Sequence, residues 1–469
     1  MNPVASATIQ RDRRSLLNSV RLLGTRRYGS FWIGSLLSNL GTWMQQVAEP
    51  WLILTMGGSS LLLGLDAFAM NAPVWVLTLF GGVLADQQDR RKIIFFFQSI
   101  QMLCPIALVI LILSRTIQVW MIIGLSLVVG VTDALSMPAF QSIVPSIVES
   151  KQIGTAIALN SAQFNLSRVL GPAIAGVAMA RWGAVSCFGA NALSYIPLIL
   201  TVYWIRVPHR PSSRFEMKSG TAWFKETAKI SHQWRLRGAL LTVLATSILC
   251  APLITFCPVL VKEVFHSDAI HFGRAIAAFG IGGLIGATGI LAIEGRVDRV
   301  KVSSSSAVAY GVLLLLVASN SSLTVLTWLL VLCGVAMTAS NTTANSILQF
   351  TAQDRVRGRA SSLYMLAMRG GLSLGNLIMG ASVTYLGVRN AFLINGILAI
   401  VIEAWIYRRW AVAIANLTKK RQPSGSGDST FRSEGSMHAD ERKKAKAVGE
   451  THSSVTLLPG SDGAIDRLK

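Results

Sequence analysis

Four polar side chains interrupt an apolar stretch near the start of the chain: Ser38, Thr42, Gln45 and Glu49, spaced by four, three and four residues. That rhythm sets them along one face of a helix. A polar stripe ending in a carboxylate is costly against lipid, so it should face a cavity. Glu49 precedes Pro50, where a helix is expected to deform. A carboxyl group so placed can exchange a proton between the two sides of a membrane, or balance the charge of a cationic cargo. Asp133, Arg168 and Arg369 are further charges inside apolar runs. Each arginine needs a carboxylate, an anionic cargo or a wet cavity, and Arg168 with Glu49 or Asp133 is the preferred pairing. Asp66 falls near the outer end of its run, within reach of headgroup water, and Glu403 reads as a peripheral, helix-end residue.

Other chemistries leave no trace. There is no G-x-x-x-x-G-K-[ST] phosphate loop, so the chain carries no pump motor of that kind. No Ser-His-Asp constellation is visible, and the six histidines lie outside the apolar runs or at their ends. The five cysteines, Cys104, Cys187, Cys250, Cys257 and Cys333, have no metal-ligand spacing and read as small apolar fillers. The expectation is therefore no enzyme, no cofactor and no metal.

The elements that must hold these charges are long and apolar. The 469 residues are 52% hydrophobic and 14% charged, against roughly a quarter charged in soluble domains. Stretches of about 20 apolar residues match a bilayer core. Twelve such blocks can be read, at 30–56, 61–85, 91–114, 118–140, 153–180, 184–205, 238–262, 270–293, 303–319, 323–350, 358–385 and 388–411. The organisation expected is an all-α polytopic membrane protein with a basic leader (1–27), a six-helix bundle (28–205), a linker (206–237), a second six-helix bundle (238–412) and a disordered polar tail (413–469). Ser15–Leu23 is a candidate surface helix within the leader.

Charge gives the sides. Of 43 Lys and Arg, five (Arg115, Arg181, Lys262, Arg274, Arg389) fall on one set of loops, two (Arg168, Arg369) lie inside spans, and the rest lie at the termini, the linker and the opposite loops. Basic loops stay cytoplasmic, so both termini are expected inside. The net charge of +21 then reflects helix flanks that meet anionic lipid heads, with no nucleic acid implied. A monomer in a bacterial cytoplasmic membrane is the expected working form.

The chain repeats itself. Shifted by 204 residues, Ser136–Ile196 aligns without a gap on Ser340–Ile400, with 14 identities in 61 positions, among them Gly171/Gly375, Gly176/Gly380, Gly183/Gly387 and Asn191/Asn395. Two parallel six-span repeats joined by a long loop are a known transporter layout.

Between the second and third blocks stands Gly82-Val-Leu-Ala-Asp86-Gln-Gln-Asp89-Arg90-Arg91. Gly81 and Gly82 allow close helix approach, and an acid at this turn can pair with an arginine or a helix N-terminus in one conformation and release it in another. The segment resembles the loop signature of the major facilitator superfamily, G-x-L-A-D-[RK]-x-G-[RK]-[RK], with Gln87 and Asp89 as departures. Asp at that second place is similar to the enterobactin-exporter-like, or transmembrane secretion effector, group of drug and siderophore exporters. Ser38-Asn-Leu-Gly41-Thr-Trp43-Met-Gln, Met137-Pro138-Ala139 and Asn165-Leu-Ser-Arg168-Val-Leu-Gly171-Pro172 resemble the same group, and the likeness covers roughly residues 28–411. Gly171-Pro172-Ala-Ile-Ala175-Gly176 resembles the exporters' G-P-x-x-G-G, with Ala175 in place of the first paired glycine. The resemblance associates this motif with antiport.

Ser340, Asn341, Thr342, Thr343, Asn345, Tyr364 and Arg369, with Trp43, Phe164, Met365 and Met368, suggest a mixed polar and apolar lining. Such a lining suits a bulky amphipathic ligand. The expected activity is proton-coupled efflux of amphipathic small molecules by alternating access. An importer, a lysolipid translocator and a non-transporting sensor remain alternatives.

Overall fold

The computed structural model describes residues 21–205, 234–292, 297–351 and 363–421. Most of the basic leader, most of the linker, the Asp354–Arg359 loop and nearly all of the polar tail lie outside them. Met1–Ala415 falls into one compact unit and Asn416–Lys469 into another.

Every apolar block falls on helix wherever it is described. The first half contains α1 (Tyr28–Thr55), α2 (Ser60–Asn71), α3 (Pro73–Gln87), α4 (Arg90–Leu113), α5 (Val119–Ile147), α6 (Ile153–Trp182) and α7 (Ala184–Trp204). The second contains α8 (Trp234–Leu249), α9 (Pro252–Val259), α10 (Ala269–Ala292), α11 (Arg299–Ser319), α12 (Leu323–Thr351), α13 (Gly371–Leu386) and α14 (Val388–Arg421). Among the described residues, nine helical segments are long and apolar enough to cross a bilayer. Blocks 1, 5 and 11 are not among the nine. They hold the polar stripe of α1, the Asn160–Arg168 reach of α6 and Arg369 with Ser373 and Asn376. The polar groups lower the hydropathy of blocks 1 and 5, while the helix of block 11, Gly371–Leu386, is 16 residues long.

Two blocks are broken rather than continuous. Block 2 divides at Ala72 into α2 and α3, with Pro73 opening the second piece. Block 7 divides at Cys250–Ala251 before Pro252 and ends in a π-helical turn, Leu260–Val264. Proline has no N–H to donate and is best accommodated in the first turn of a helix. The Cys250 carbonyl at the second break accepts the Tyr310 hydroxyl at 3.0 Å, so the interruption stays satisfied inside lipid. Pro50, by contrast, sits within α1, which runs on through it to Thr55.

The repeat is visible in the backbone. Gly183 and Gly387, 204 residues apart, have φ of 74° and 79°, and each ends a helix by donating its N–H, to the carbonyls of Met179 and Val383. Only glycine takes that conformation without strain. Earlier in each half the register shifts. Asp89 caps α4 by accepting from Arg91 N, and Asp298 caps α11 by accepting from Val300 N, both at 3.0 Å. Asp89-Arg90-Arg91-Lys92 and Asp298-Arg299-Val300-Lys301 are thus equivalent helix starts that the single offset of 204 does not align.

The two halves meet closely along two helix pairs, α2 with α13 and α6 with α10. Both crossings are glycine on glycine. A methyl group at Gly64 would lie 3.0 Å from the Gly380 Cα, and one at Gly176 would lie 2.9 Å from the Gly273 Cα. Where lipid is as apolar as the side chains, close backbone packing of this kind holds helices together. Both crossings lie toward the ends of their helices remote from Tyr28. There Trp51 stacks on Phe272 with ring centroids 5.7 Å apart, and Lys262 Nζ donates to the Leu54 carbonyl at 2.6 Å. These contacts join the two halves at that end.

Candidate functional site

The polar stripe of α1 converges on a buried network in the first half. Glu49, 6% exposed, accepts from Ser126 Oγ of α5 on one oxygen and from Gln45 Nε2 at 3.1 Å on the other. Gln45 Oε1 accepts from Asn191 Nδ2 of α7 at 2.6 Å. Gln101 on α4 is also buried and accepts from Gln98 at 2.6 Å. A cavity of about 20 Å3, room for one water, is lined by Thr42, Gln45, Glu49, Gln101, Asn191 and Tyr195 among others. Ser38, one turn before Thr42, is buried, and its carbonyl accepts the Thr42 hydroxyl at 2.9 Å.

Asp66 corrects the expectation of a hydrated group near the headgroups. It is 6% exposed, and its Oδ1 has no hydrogen-bond partner. Glu403 corrects a second expectation: it is fully buried. Its Oε2 accepts from Thr242 Oγ1 at 3.1 Å, and its Oε1 is unpartnered. Both expectations judged depth along one helix, whereas burial is set by the neighbouring helices.

Arginine pairing also differs from the sequence reading. Asp133 Oδ2 accepts from Arg369 Nη1 at 2.5 Å, across 236 residues of chain. Arg369 occupies the last turn of a π-helical stretch, Leu366–Gly370. Arg168 pairs with neither Glu49 nor Asp133; its guanidinium lies 5.4 Å from the Phe279 ring centroid. A guanidinium over an aromatic face is held by the ring quadrupole. Arg168 therefore joins α6 to α10 while Arg369 joins α13's leading turn to α5.

The remaining candidates are distributed as follows. Asn341 Oδ1 accepts from Thr246 Oγ1 at 3.4 Å, and Asn345 Oδ1 accepts from Gln349 at 3.3 Å. Tyr364 and Met368 pack against the apolar cluster of Leu236, Val243, Leu348 and Ile406. Trp43 and Phe164 meet edge to face. In the signature loop, Asp89 binds Arg91 Nη2 at 2.8 Å, Arg91 Nη1 donates to the Ile205 carbonyl at 2.8 Å, and Arg90 reaches Ser142 O and Ser146 Oγ. The side chain of Asp86 is outside the described residues. Gly81 lies against the Ala134 and Leu135 backbone, but a methyl group at Gly82 would meet nothing within 4 Å, so close helix approach explains only the first of these glycines. In the span-5 motif, Gly171 packs on Trp43 and Leu40, and Pro172 and Gly176 face Gly273.

Ser126, Gln101 and Tyr195 carry no signal in the sequence pattern. The repeat did mark Asn191, and both Asn191 and Asn395 are buried.

The paired helical body, with Asp133–Arg369 and Arg168 reaching between its halves, has the major facilitator fold. The nucleoside transporter NupG superposes with a TM-score of 0.70 at 13% identity, covering 82% of this chain and 100% of that one. The chain belongs to the transmembrane secretion effector family, whose model matches residues 22–424. It is 26% identical to the staphyloferrin A transporter of Staphylococcus aureus, over 80% of this chain and 94% of that protein. It is 21% identical to macrolide efflux protein A of Streptococcus pyogenes, again over 80% and 94%. The protein is a multi-pass membrane transporter, and its family is one of transporters, not enzymes.

Proposed function

We propose that the protein exports amphipathic small molecules, of the drug or siderophore kind, by alternating access driven by inward proton movement. The observation that carries this reading is the Asp133–Arg369 ion pair. It ties α5 of the first half to the helix leading into α13 of the second, so rocking of the halves would make and break it. Arg168 over Phe279 supplies a second charged contact across the same seam. Glu49, held by a hydroxyl and an amide, is the coupling carboxyl, and Asn341, Asn345 and Tyr364 are candidate contacts for the cargo. The contacts between the halves at the end remote from Tyr28 support an inward-facing reading of this conformation, with the termini cytoplasmic as the basic loops suggest. The 28–205 and 238–412 bundles act as the two moving bodies, the monomer suffices, and anionic lipid holds the basic flanks of a bacterial cytoplasmic membrane protein. The relatives' names, a siderophore transporter and a macrolide efflux protein, support the cargo class.

The test is reconstitution in liposomes under an imposed proton gradient, with siderophores, macrolides and dyes offered as cargo. Gradient-dependent movement of one of them, lost in Glu49→Gln while the protein stays folded, is the expected result. Full activity in that variant would remove Glu49 from the mechanism, and gradient-independent uptake would point to an importer.

A further inference from the structure

We propose that Arg168 anchors a carboxylate on the cargo, with the Thr338 hydroxyl as second donor, so that the cargo class is an amphipathic anion. It deepens the exporter reading, on which it rests for its purpose, though not for its existence.

The two arginines inside the spans keep different company. Arg369 holds Asp133. Arg168, among the described residues, makes no hydrogen bond and has no Asp or Glu within ion-pair distance; its guanidinium meets the Phe279 ring. A ring face attracts the charge but offers no oxygen to the five N–H donors of the guanidinium plane. Donors left open inside a span are costly, so the site wants an oxyanion that the protein itself does not supply. Lipid phosphate is a poor candidate. Arg168 lies near the middle of α6, roughly 20 Å from either end at 1.5 Å per residue. The missing anion is one that enters the seam between the halves.

A glycine brings a second donor to the same place. A methyl group at Gly283 of α10 would lie 3.6 Å from Arg168 Cζ and Nη1 and 3.1 Å from Thr338 Oγ1 of α12. The bare backbone thus lets guanidinium and hydroxyl approach one point from two helices, one in each half. Thr338 Oγ1 has no hydrogen-bond partner among the described residues, and both Arg168 and Thr338 are half-buried, hence reachable. A guanidinium edge and a hydroxyl suit the two oxygens of a carboxylate. An apolar wall stands beside them. Phe164, 46% exposed, lies one turn before Arg168 on the same face of α6 and meets Trp43 edge to face. Asn341, one turn beyond Thr338 on the same face of α12, extends the polar side.

Binding of two matched fluorescent probes, pyrenebutyrate and its neutral amide, tests the site. It is read by energy transfer from tryptophan to pyrene on the full-length protein in phosphatidylcholine nanodiscs at neutral pH, with empty nanodiscs as the baseline. The wild type should bind the carboxylate about tenfold or more tightly than the amide. Arg168→Gln should remove that preference and leave binding of the amide unchanged, and Thr338→Val should narrow it about threefold. No saturable binding of the carboxylate, equal binding of the two probes, or a preference that survives Arg168→Gln would overturn the proposal. If Arg168→Gln fails to fold, Thr338→Val decides: a narrowed preference supports the site and an unchanged one overturns it. Binding needs no proton gradient. A protein that binds the carboxylate yet moves nothing across liposomes would sink the exporter reading and leave the site; export without a carboxylate preference would sink the site and leave the reading.

Discussion

Glu49 and Glu403 are both acids buried in spans, and they sit in very different company. Glu49 has a hydroxyl, an amide and a small cavity around it. Glu403 has one threonine hydroxyl and an orphan oxygen, with the Trp410 indole N–H buried unpartnered on the same helix. The first half lines its acid for exchange; the second packs its acid away. Yet the backbones of the halves repeat at Gly183 and Gly387, and at the Asp89 and Asp298 caps. Ser126 is matched by Leu330 at the shared offset of 204, and the reach of the second half opposite Gln45 and Glu49, Leu249–Val259, holds no charge. The two halves thus share backbone features while their polar side chains differ, and in the proposed mechanism the first half carries the coupling.

That contrast can be broken most sharply by exchanging the two acids for amides. Glu49→Gln should lower gradient-driven export by more than about tenfold, whereas Glu403→Gln should keep most of it. Equal losses, measured by cargo flux in liposomes, would erase the difference between the halves. Next in size is the ion pair that joins them. Arg369→Met should reduce flux roughly fivefold or more by leaving Asp133 alone at the seam, and Asp133→Asn in the same protein should recover part of it. A smaller effect belongs to the second half's own scaffold: Tyr310→Phe removes the donor to the Cys250 carbonyl and should cost about 0.6 kcal/mol in thermal or denaturant unfolding, with flux little changed. The smallest lies outside the spans. Backbone hydrogen bonding from His271 holds Asp268 below the usual carboxylate range. An acid held low in the folded state stabilises above its unfolded value and loses that contribution as pH falls through its folded one. Amide exchange at the start of α10 should therefore quicken only in acid, near and below the ordinary aspartate range, and Asp268→Asn should abolish that dependence.

The spans are legible because apolar length is a local property. The breaks at Ala72 and Cys250–Ala251 were marked by Pro73 and Pro252 but were overlooked, since a hydropathy block runs smoothly across them. Half of the repeat was legible from glycines; the other half was not, because loops of unequal length shift the register between Asp89 and Asp298. Asp133 and Arg369 were each found as charges in lipid, but their pairing spans 236 residues and no periodicity reports it. Asp66 was misjudged for the same reason. Its depth along α2 suggested water, and only the packing of α2 on α5 shows otherwise.

The glycine crossings at Gly64–Gly380 and Gly176–Gly273 have a kinetic consequence. Surfaces without side chains have no rotamers to rearrange and nothing to disentangle when they part. In the rocking motion proposed above, such joints would part and re-form without repacking, and a single added side chain would jam them.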